Sequence, residues 1–281
     1  MLFKKISIVG VGLIGGSIGM ACRKKKIARE VVGIGRRRSS INKAEKLGAI
    51  DKGTLNLKEG IEEGDLIIIS TPINIVTEKI TECARFAKKG AIIIDVASIK
   101  VKIVKGADKI IKNKEGISYV GTHPMAGSEE SGVSVAKPDL FKNAICIITP
   151  SKYTEDSALK KVKRFWRMLE AKIEIMPASK HDLAVAQISH LPHLLAYGLC
   201  ASIPIEGARL AGSGFKDFTR IAKSDPKMWA EIFIQNKANI MRARNIFEKY
   251  IKLLQSNIIK KDEIGLLKRI TSAKEKRDSI G

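Results

Sequence analysis

The stretch that decides the fold lies near the amino terminus and reads Ile6-Ser7-Ile8-Val9-Gly10-Val11-Gly12-Leu13-Ile14-Gly15. Its first four residues form a mostly apolar, β-branched run, which is typical of a strand. Three glycines follow at the spacing Gly-x-Gly-x-x-Gly, and a helical pattern begins within them. Glycines that leave a strand and open a helix in this way are the fingerprint of a dinucleotide-binding unit. The stretch therefore predicts a nucleotide site at the start of an α/β domain.

Each position of the fingerprint has a physical task. Gly10 allows the tight turn, Gly12 lets the backbone approach a pyrophosphate, and Gly15 permits close packing of the helix. Leu13 and Ile14 begin that helix, whose unpaired N–H groups and positive dipole end suit a diphosphate. All five residues are therefore candidate cofactor ligands.

Arginines follow the second predicted strand, in Gly35-Arg36-Arg37-Arg38. NAD enzymes carry an acidic residue about 20 residues beyond the fingerprint, where it binds the adenosine ribose. Here no carboxylate repels a 2′-phosphate, and guanidinium groups can grip one bidentately. We therefore expect NADP to be favoured, with Arg36 and Arg37 as ligands, while NAD stays possible if they only face solvent. Ser70, the last residue of a later predicted strand, and Pro72, just beyond it, are further candidate cofactor contacts.

The remaining pattern divides the chain into two domains. From residue 1 to 177, short apolar runs alternate with helical stretches, which predicts a doubly wound parallel sheet of the Rossmann type. Beyond Pro177 the strand pattern stops, and 182–203 and 227–254 are predicted long helices because apolar residues recur at spacings of three and four. Pro192 should kink the first of them. We therefore expect a nucleotide-binding domain over 1–177 and an all-helical domain over 178–281. Predicted strands span 6–9, 31–34, 66–70, 91–96, 117–120, 144–149 and 173–176.

Composition excludes several classes of function. No apolar run approaches the roughly 20 residues that cross a bilayer, and the first residues run directly into a strand, so we expect a cytoplasmic protein without a membrane partner. The four cysteines lie far apart in apolar contexts and are expected to be buried, reduced thiols. The net charge of +22 is spread over many predicted helices without a nucleic-acid-binding module. It indicates a solvated surface rather than a nucleic-acid partner, and could attract a small anionic substrate.

A histidine lies in the glycine-rich segment Gly121-Thr122-His123-Pro124-Met125-Ala126-Gly127, at the carboxyl end of a predicted strand. Open α/β sheets bind their ligands at these ends. Two further motifs follow, Ser189-His190-Leu191-Pro192-His193 and Gly214-Phe215-Lys216-Asp217-Phe218-Thr219-Arg220. In this order and spacing, the fingerprint and the three motifs resemble the prephenate and arogenate dehydrogenases of tyrosine biosynthesis over nearly the whole chain.

The resemblance implies oxidative decarboxylation of prephenate to 4-hydroxyphenylpyruvate, with conversion of arogenate to tyrosine as the alternative. It assigns His123 as the general base for the substrate hydroxyl and Ser98 as its hydrogen-bonding partner near the nicotinamide. It places Arg220 on a substrate carboxylate and His193 against the substrate side chain. It also implies a homodimer built by the helical domains. Ser128 and Glu129, which follow the histidine segment, are further substrate-binding candidates.

Other interpretations remain for several of these residues. His190 can equally make a structural hydrogen bond, and His181 is expected to be structural because it lies nine residues earlier on a different helical face. Two imidazoles without a third ligand at metal spacing disfavour a zinc site. A hydroxyacid or imine dehydrogenase is an alternative enzyme, which predicts a catalytic lysine on the first long helix of the second domain. That helix instead carries Gln187, His190 and His193. A nicotinamide-binding sensor would leave His123 and Arg220 without a task.

Overall fold

The computed structural model describes residues 1–280. Its strands form one sheet in the order β3-β2-β1-β4-β5-β6-β7-β8, in which β7 runs antiparallel to β6 and every other neighbouring pair is parallel. The strand order reverses beside β1, as in doubly wound nucleotide-binding folds. The predicted Rossmann-type fold class is thereby confirmed. Numbered β1 to β8 in chain order, the strands are Phe3–Val9, Ala28–Ile34, Lys52–Thr54, Leu66–Ile69, Ile92–Asp95, Ser118–Pro124, Ile145–Thr149 and Lys172–Ile175.

Helices cover both faces of the sheet and then continue alone as a helical half, which also confirms the predicted all-helical second part. A π-helix, Ala186–His190, lies between α7 and α8, and short 3-10 turns span Ile73–Ile75, Val133–Val135 and Arg220–Lys223. In chain order the α-helices α1 to α13 are Leu13–Lys24, Arg38–Lys46, Leu57–Ile61, Val76–Phe86, Val101–Ile111, Asp156–Met168, Ala178–Val185, Leu191–Ser202, Ile205–Ala208, Ser213–Thr219, Pro226–Gln235, Lys237–Ile259 and Glu263–Asp278.

The central strands are buried on both faces, which explains their nearly continuous apolar sequence. Every residue of β4 and β5 is buried. On one face the sheet packs against α1 and α6, where Ile18, Phe165 and Trp166 are fully buried. On the other face it packs against α4 and α5 through Ile80 and Ile103. Each such side chain contributes roughly 1.5 to 3 kcal/mol by leaving water, so the sheet forms the rigid part of the molecule.

Several elements differ from the sequence-based expectation. The short strand β3 and the short helix α3 were not predicted, because three to five residues with lysine and glutamate show no clear period. Strand β6 continues through residues 121–124, beyond the predicted end at residue 120, because these residues pair with antiparallel β7. His123 therefore lies in a strand. Cys22, Cys83 and Cys146 are buried, but Cys200 is exposed, so the expectation of four buried thiols was wrong at that position.

The first long helical run is interrupted just before the proline that was expected to kink it. The π-helix ends at His190, and Pro192 occupies the first turn of α8, where its missing N–H needs no partner. Counted as one helix, Ala178–Ser202 is long and apolar enough to cross a membrane by length and composition. Its most apolar stretch of 18 residues is 28% buried in the protein. A single helix of this kind is weak evidence for insertion. An exposed apolar helix face is also what contact with another protein chain requires.

Candidate active site

The glycine fingerprint forms the turn between β1 and α1, beside the carboxyl end of β4. Gly10 has a φ of +95°, and a Cβ there would lie 2.7 Å from the carbonyl oxygen of Ser70. A Cβ on Gly15 would lie 2.2 Å from the carbonyl oxygen of Gly10. At Gly12, by contrast, a Cβ would meet no protein atom within 4 Å. The protein therefore leaves open space at the position where a diphosphate would approach the backbone.

The start of α1 is suited to hold that diphosphate. Gly12 caps the helix without a side-chain hydrogen bond, and the first turn, which contains Leu13 and Ile14, has no acidic residue. Backbone N–H groups at such a helix end attract anions. Ser70 closes the turn, because its hydroxyl donates to the carbonyl oxygen of Gly10 at 2.5 Å. Pro72 is exposed beside it. These features fit the dinucleotide cofactor that the fingerprint predicts.

Arg36 and Arg37 lie just beyond the carboxyl end of β2, and both are exposed. Within the described residues 1–280, neither guanidinium has a hydrogen bond or an ion pair. Arg38 has a partner, a long 3.5 Å contact with the carbonyl oxygen of Gly53. The first two arginines are therefore available to an anionic ligand at this end of the sheet.

The predicted catalytic residues lie on neighbouring strands. Asp95, the last residue of β5, is in register with Gly121 of β6. Ser98 follows three residues after Asp95, and His123 lies two residues after Gly121, so both residues lie at the carboxyl ends of adjacent strands. Ser98 is partly exposed, whereas His123 is 9% exposed. The sheet thus brings the serine and the histidine to the edge where the glycine turn lies.

A buried charged pair fixes the loop that carries Ser98. Asp95 and Lys100 are both fully buried and form an ion pair across this loop. The Asp95 carboxylate also accepts hydrogen bonds from the Ala97 N–H at 2.9 Å and from the Tyr119 hydroxyl at 2.6 Å. Buried charges are stable only when they are paired and hydrogen-bonded, so this network restricts the loop to one conformation.

The ring of His123 contacts the helical half of the chain. Its Nδ1 lies 2.8 Å from Nε2 of His181. Nδ1 of His181 in turn lies 2.8 Å from Oδ1 of Asp182. In residues 1–280 the Nε2 atom of His123 has no hydrogen-bond partner. That nitrogen is the one available to a substrate.

Burial keeps His123 in its neutral form. Loss of solvent lowers the pKa of His123 well below its usual range, and the neighbouring His181, Lys100 and His190 lower it further. A neutral imidazole has a lone pair and can act as a general base at neutral pH.

The π-helix brings the other histidines towards this centre. On an uninterrupted α-helix, residues 181 and 190 would lie about 180° apart. The wider π turn changes the angle between these two residues about the helix axis, and both rings are completely buried. The Asn236 side-chain amide donates to the Asp182 carbonyl oxygen at 2.8 Å and lies 3.1 Å from Nδ1 of His190. His190 Nε2 is buried without a partner in the described chain.

His193 lies in the first turn of α8 and is partly buried. Its Nδ1 lies 2.8 Å from the carbonyl oxygen of Ser189, to which it donates, so its Nε2 carries a lone pair. The ring stacks on Trp229 with 3.5 Å between the centroids. Trp229 is itself buried, so the stacking fixes the plane of the His193 ring.

The remaining predicted substrate ligands form the rim of the site. Arg220 forms an ion pair with Glu129 at 2.9 Å, and the arginine side chain is 58% exposed. Exposed pairs contribute about 0 to 1 kcal/mol, so Arg220 can exchange Glu129 for another carboxylate at little cost. The exposed Ser128 hydroxyl accepts the N–H of Glu130 within the same loop. The pair links the histidine loop of the sheet to the helical half.

Comparison with known proteins identifies the group to which this site belongs. The models "Prephenate dehydrogenase, nucleotide-binding domain" and "Prephenate dehydrogenase, dimerization domain" match residues 18–175 and 177–272. The chain belongs to the prephenate dehydrogenase family. Its members are oxidoreductases, so the chain is an enzyme of this class. The family resemblance inferred from the motifs is therefore confirmed.

Individual relatives are similar over almost the whole chain. The prephenate dehydrogenase of Bacillus subtilis is 34% identical, covering 98% of this chain and 76% of the relative. The structure of the enzyme from Aquifex aeolicus, in complex with hydroxyphenyl propionate and NAD+, has a TM-score of 0.91 at 34% identity and covers 99% and 98% of the two chains. The arogenate dehydrogenase of Synechocystis has a TM-score of 0.84 at 27% identity, with coverage of 99% and 100%. A nicotinamide cofactor is therefore supported for this fold.

The sequence-based interpretation missed part of the site. His181 was expected to be structural, yet its ring contacts His123 directly. Asp182, Lys100 and Asn236 were not singled out at all. Sequence spacing could not identify them, because the π-helix and the docking of α7 on α5 bring them together. The adjacent His181 and Asp182 in α7, the first helix after the sheet, were the signal in the sequence that could have pointed to this part of the site.

Two glycine variants of this family member separate folding from cofactor binding. Gly15→Ala should destabilise the fold by about 1 to 3 kcal/mol, because its Cβ overlaps the Gly10 carbonyl. Gly12→Ala should keep the wild-type stability, since its Cβ meets no protein atom and its φ of −96° suits alanine. It should instead weaken cofactor binding. Thermal unfolding and fluorescence titration with NADP and NAD check both expectations, and unchanged cofactor affinity in Gly12→Ala would contradict this placement of the diphosphate.

Buried histidines should make the fold sensitive to acid. Burial lowers the pKa of His190 from 6.5 to about 4. The unfolded chain binds this proton near pH 6.5 and the folded chain only near pH 4, so stability is lost as the pH falls through this window. The loss attributable to His190 is about 3 kcal/mol. Urea unfolding at pH 7 and pH 4 should show a smaller pH dependence in His190→Asn than in wild type. Equal dependences would exclude His190 as a source of acid lability.

Proposed function

We propose that the chain catalyses the oxidative decarboxylation of prephenate to 4-hydroxyphenylpyruvate. The observation that carries the proposal is a neutral histidine, His123, whose free Nε2 lies at the carboxyl edge of the sheet together with the glycine turn. Arg220, a carboxylate ligand, reaches the rim of the same site from the helical half. Family membership and 34% identity to a curated prephenate dehydrogenase support it.

The residues of the chain divide the chemistry among them. His123 accepts the proton of the C4 hydroxyl on Nε2 as that carbon becomes a carbonyl. Ser98 hydrogen-bonds the same hydroxyl and orients it, while Arg220 holds a substrate carboxylate through charge-assisted hydrogen bonds. The bound nicotinamide dinucleotide supplies the acceptor for the hydride that leaves C4. Carbon dioxide then leaves C1, and the electron pair of the broken bond makes the ring aromatic and moves charge onto the C4 oxygen. That oxygen takes back the proton held by His123, which gives the phenol.

Arogenate is a second candidate substrate, and one observation favours it. Prephenate and arogenate differ by a keto or an amino group in the side chain. We assign His193 to this side chain from the family resemblance, and Nε2 of His193 carries a lone pair. An ammonium group can donate to that nitrogen, whereas a keto group cannot. The Synechocystis relative is named an arogenate dehydrogenase.

Replacing His123 tests the chemistry directly. His123→Asn should leave cofactor affinity intact and lower kcat by roughly 100- to 10,000-fold, which is the usual effect of losing a positioned base. Wild type and variant are assayed spectrophotometrically with prephenate and arogenate in turn. An unchanged rate in His123→Asn would remove His123 from the mechanism, and no turnover of either substrate by wild type would exclude the proposed function.

We propose NADP as the preferred cofactor, with NAD as the alternative. Arg36 and Arg37 support NADP, because both are exposed and without partners beside the end of β2. The Aquifex structure contains NAD+, which is the observation that favours NAD.

Arginine variants decide between the two cofactors. Arg36→Gln and Arg37→Gln should each lower kcat/KM for NADP by about 10- to 100-fold, since a hydrogen bond to a charged group is worth about 1.5 to 3 kcal/mol. The efficiency with NAD should stay unchanged. Arg29→Gln is a matched control, because Arg29 is exposed at the opposite end of β2. A wild-type enzyme that prefers NAD would contradict this assignment.

We also propose that two chains associate through their helical halves. The helical half has a small hydrophobic core of its own. Its four buried residues include Leu191 and Ile240. Large apolar side chains on α12 and α13 are exposed, including Ile259 at 81%, Ile264 at 85% and Leu267 at 64%. Such a surface favours burial against a second copy. The family model of this half is described as a dimerization domain.

For the compartment we propose the cytoplasm. Cys22, Cys83 and Cys146 are free, buried thiols, which suits a reducing environment. Fractionation of cells that produce the protein would test this placement.

A further inference from the structure

A line of three side chains runs from His123 into the helical half. Nδ1 of His123 lies 2.8 Å from Nε2 of His181, and Nδ1 of His181 lies 2.8 Å from Oδ1 of Asp182. All three residues are buried. Strand β6 carries the first residue and helix α7 carries the other two, so the line crosses between the two halves.

The proton positions follow from the carboxylate at the end of the line. Asp182 accepts the backbone N–H groups of Lys100 and Val101 at 2.7 and 2.9 Å, at the positive end of α5. This environment stabilises the ionised carboxylate, which can only accept hydrogen bonds. Burial lowers the pKa of His181, so its ring is neutral. It must therefore donate from Nδ1, which leaves a lone pair on its Nε2. His123 must in turn donate from Nδ1 to that lone pair.

From this geometry we propose that His181 is a positioning residue that fixes the proton of His123 on Nδ1, and that Asp182 does the same for His181. The proposal rests on the proposed function only in that His123 is the base. With its proton held on Nδ1, His123 presents the lone pair of Nε2 to the substrate. When the hydroxyl O–H bond breaks and an N–H bond forms at Nε2, the electron pair stays on oxygen. The resulting imidazolium continues to donate to His181.

The arrangement also makes the base depend on contact between the halves. Asp182 belongs to α7, whereas its two backbone donors belong to the start of α5 in the sheet domain. The Asn236 amide, at the junction of α11 and α12, donates to the Asp182 carbonyl oxygen. A histidine with the proton on the wrong nitrogen loses most of its value as a base, even when its position is unchanged.

The first experiment determines the protonated nitrogens without any turnover. The chain has four histidines, so a long-range 1H–15N spectrum of the labelled protein contains four imidazole rings. At pH 8 the rings of His123 and His181 should both carry the proton on Nδ1. In His181→Leu, a substantial share of His123 should carry it on Nε2. Protonation of His123 at Nε2 in the wild-type protein would overturn the proposal.

The second experiment measures the consequence for the rate. His181→Leu should lower kcat by roughly 10²- to 10⁴-fold, with KM values for substrate and cofactor near those of wild type. The kcat of His181→Gln should be at least about tenfold higher than that of His181→Leu, because the glutamine amide oxygen can accept from Nδ1 of His123. A purely structural role would not produce this recovery. A wild-type kcat in His181→Leu would overturn the proposal.

The chain offers a matched control for Asp182. Asp65 also accepts two consecutive backbone N–H groups, from Lys4 and Lys5 at 2.5 and 3.2 Å. It lies just before β4, at the amino ends of the strands and therefore on the side of the sheet away from His123. Asp182→Asn should lower kcat by at least about tenfold, whereas Asp65→Asn should leave it unchanged. Equal effects of the two variants would contradict a role for Asp182. If wild type turns over neither substrate while its spectrum shows both protons on Nδ1, the proposed function fails and this inference stands.

Discussion

The carboxylate of Asp182 joins the two halves of the molecule next to His181 and His123, the proposed catalytic base. It belongs to the first helix after the sheet, and it accepts backbone N–H groups from the start of α5. Hydrogen bonds to a charged group contribute about 1.5 to 3 kcal/mol each, and an unpaired buried carboxylate would cost more than these bonds gain. Docking of the helical half is therefore restricted to one position. The ring of His181, and through it the ring of His123, takes its orientation from this contact.

Buried and exposed charges have different tasks in the site. Asp95 and Lys100 are fully buried and paired, and they fix the loop that carries Ser98 in front of the sheet. Arg220 and Glu129 form their pair at the solvent-exposed rim, where it contributes little to stability. A buried pair is costly to separate, whereas an exposed pair can exchange one partner for a substrate carboxylate. The interior of the site is consequently rigid, and its entrance can adapt to an anionic ligand.

The helical half depends on contacts outside its own core. His181 contacts His123 of the sheet, and α13 has no buried residue at all among those that the structure describes. A long helix with an exposed apolar face is stable when another surface covers it. Association of two chains would provide that surface and would leave the site between the sheet and the helices intact.

Much of the fold and part of the site were predictable from local pattern. The fingerprint at Gly10, Gly12 and Gly15 fixed the nucleotide turn, because its spacing and the strand before it are properties of adjacent residues. The alternation of strands and helices gave the Rossmann-type sheet for the same reason. The motifs around His123 and Arg220 indicated the family, since their residue types and order are visible without coordinates.

Only the tertiary structure decided how these residues act together. The antiparallel pairing of β7 placed His123 in a strand, and the π-helix turned His181 and His190 towards the same buried centre. Contacts such as His123 with His181 join residues 58 positions apart. Their geometry depends on how α7 docks against α5. Sequence determines which side chains are available, whereas proton positions depend on distances and burial that exist only after the two halves have packed.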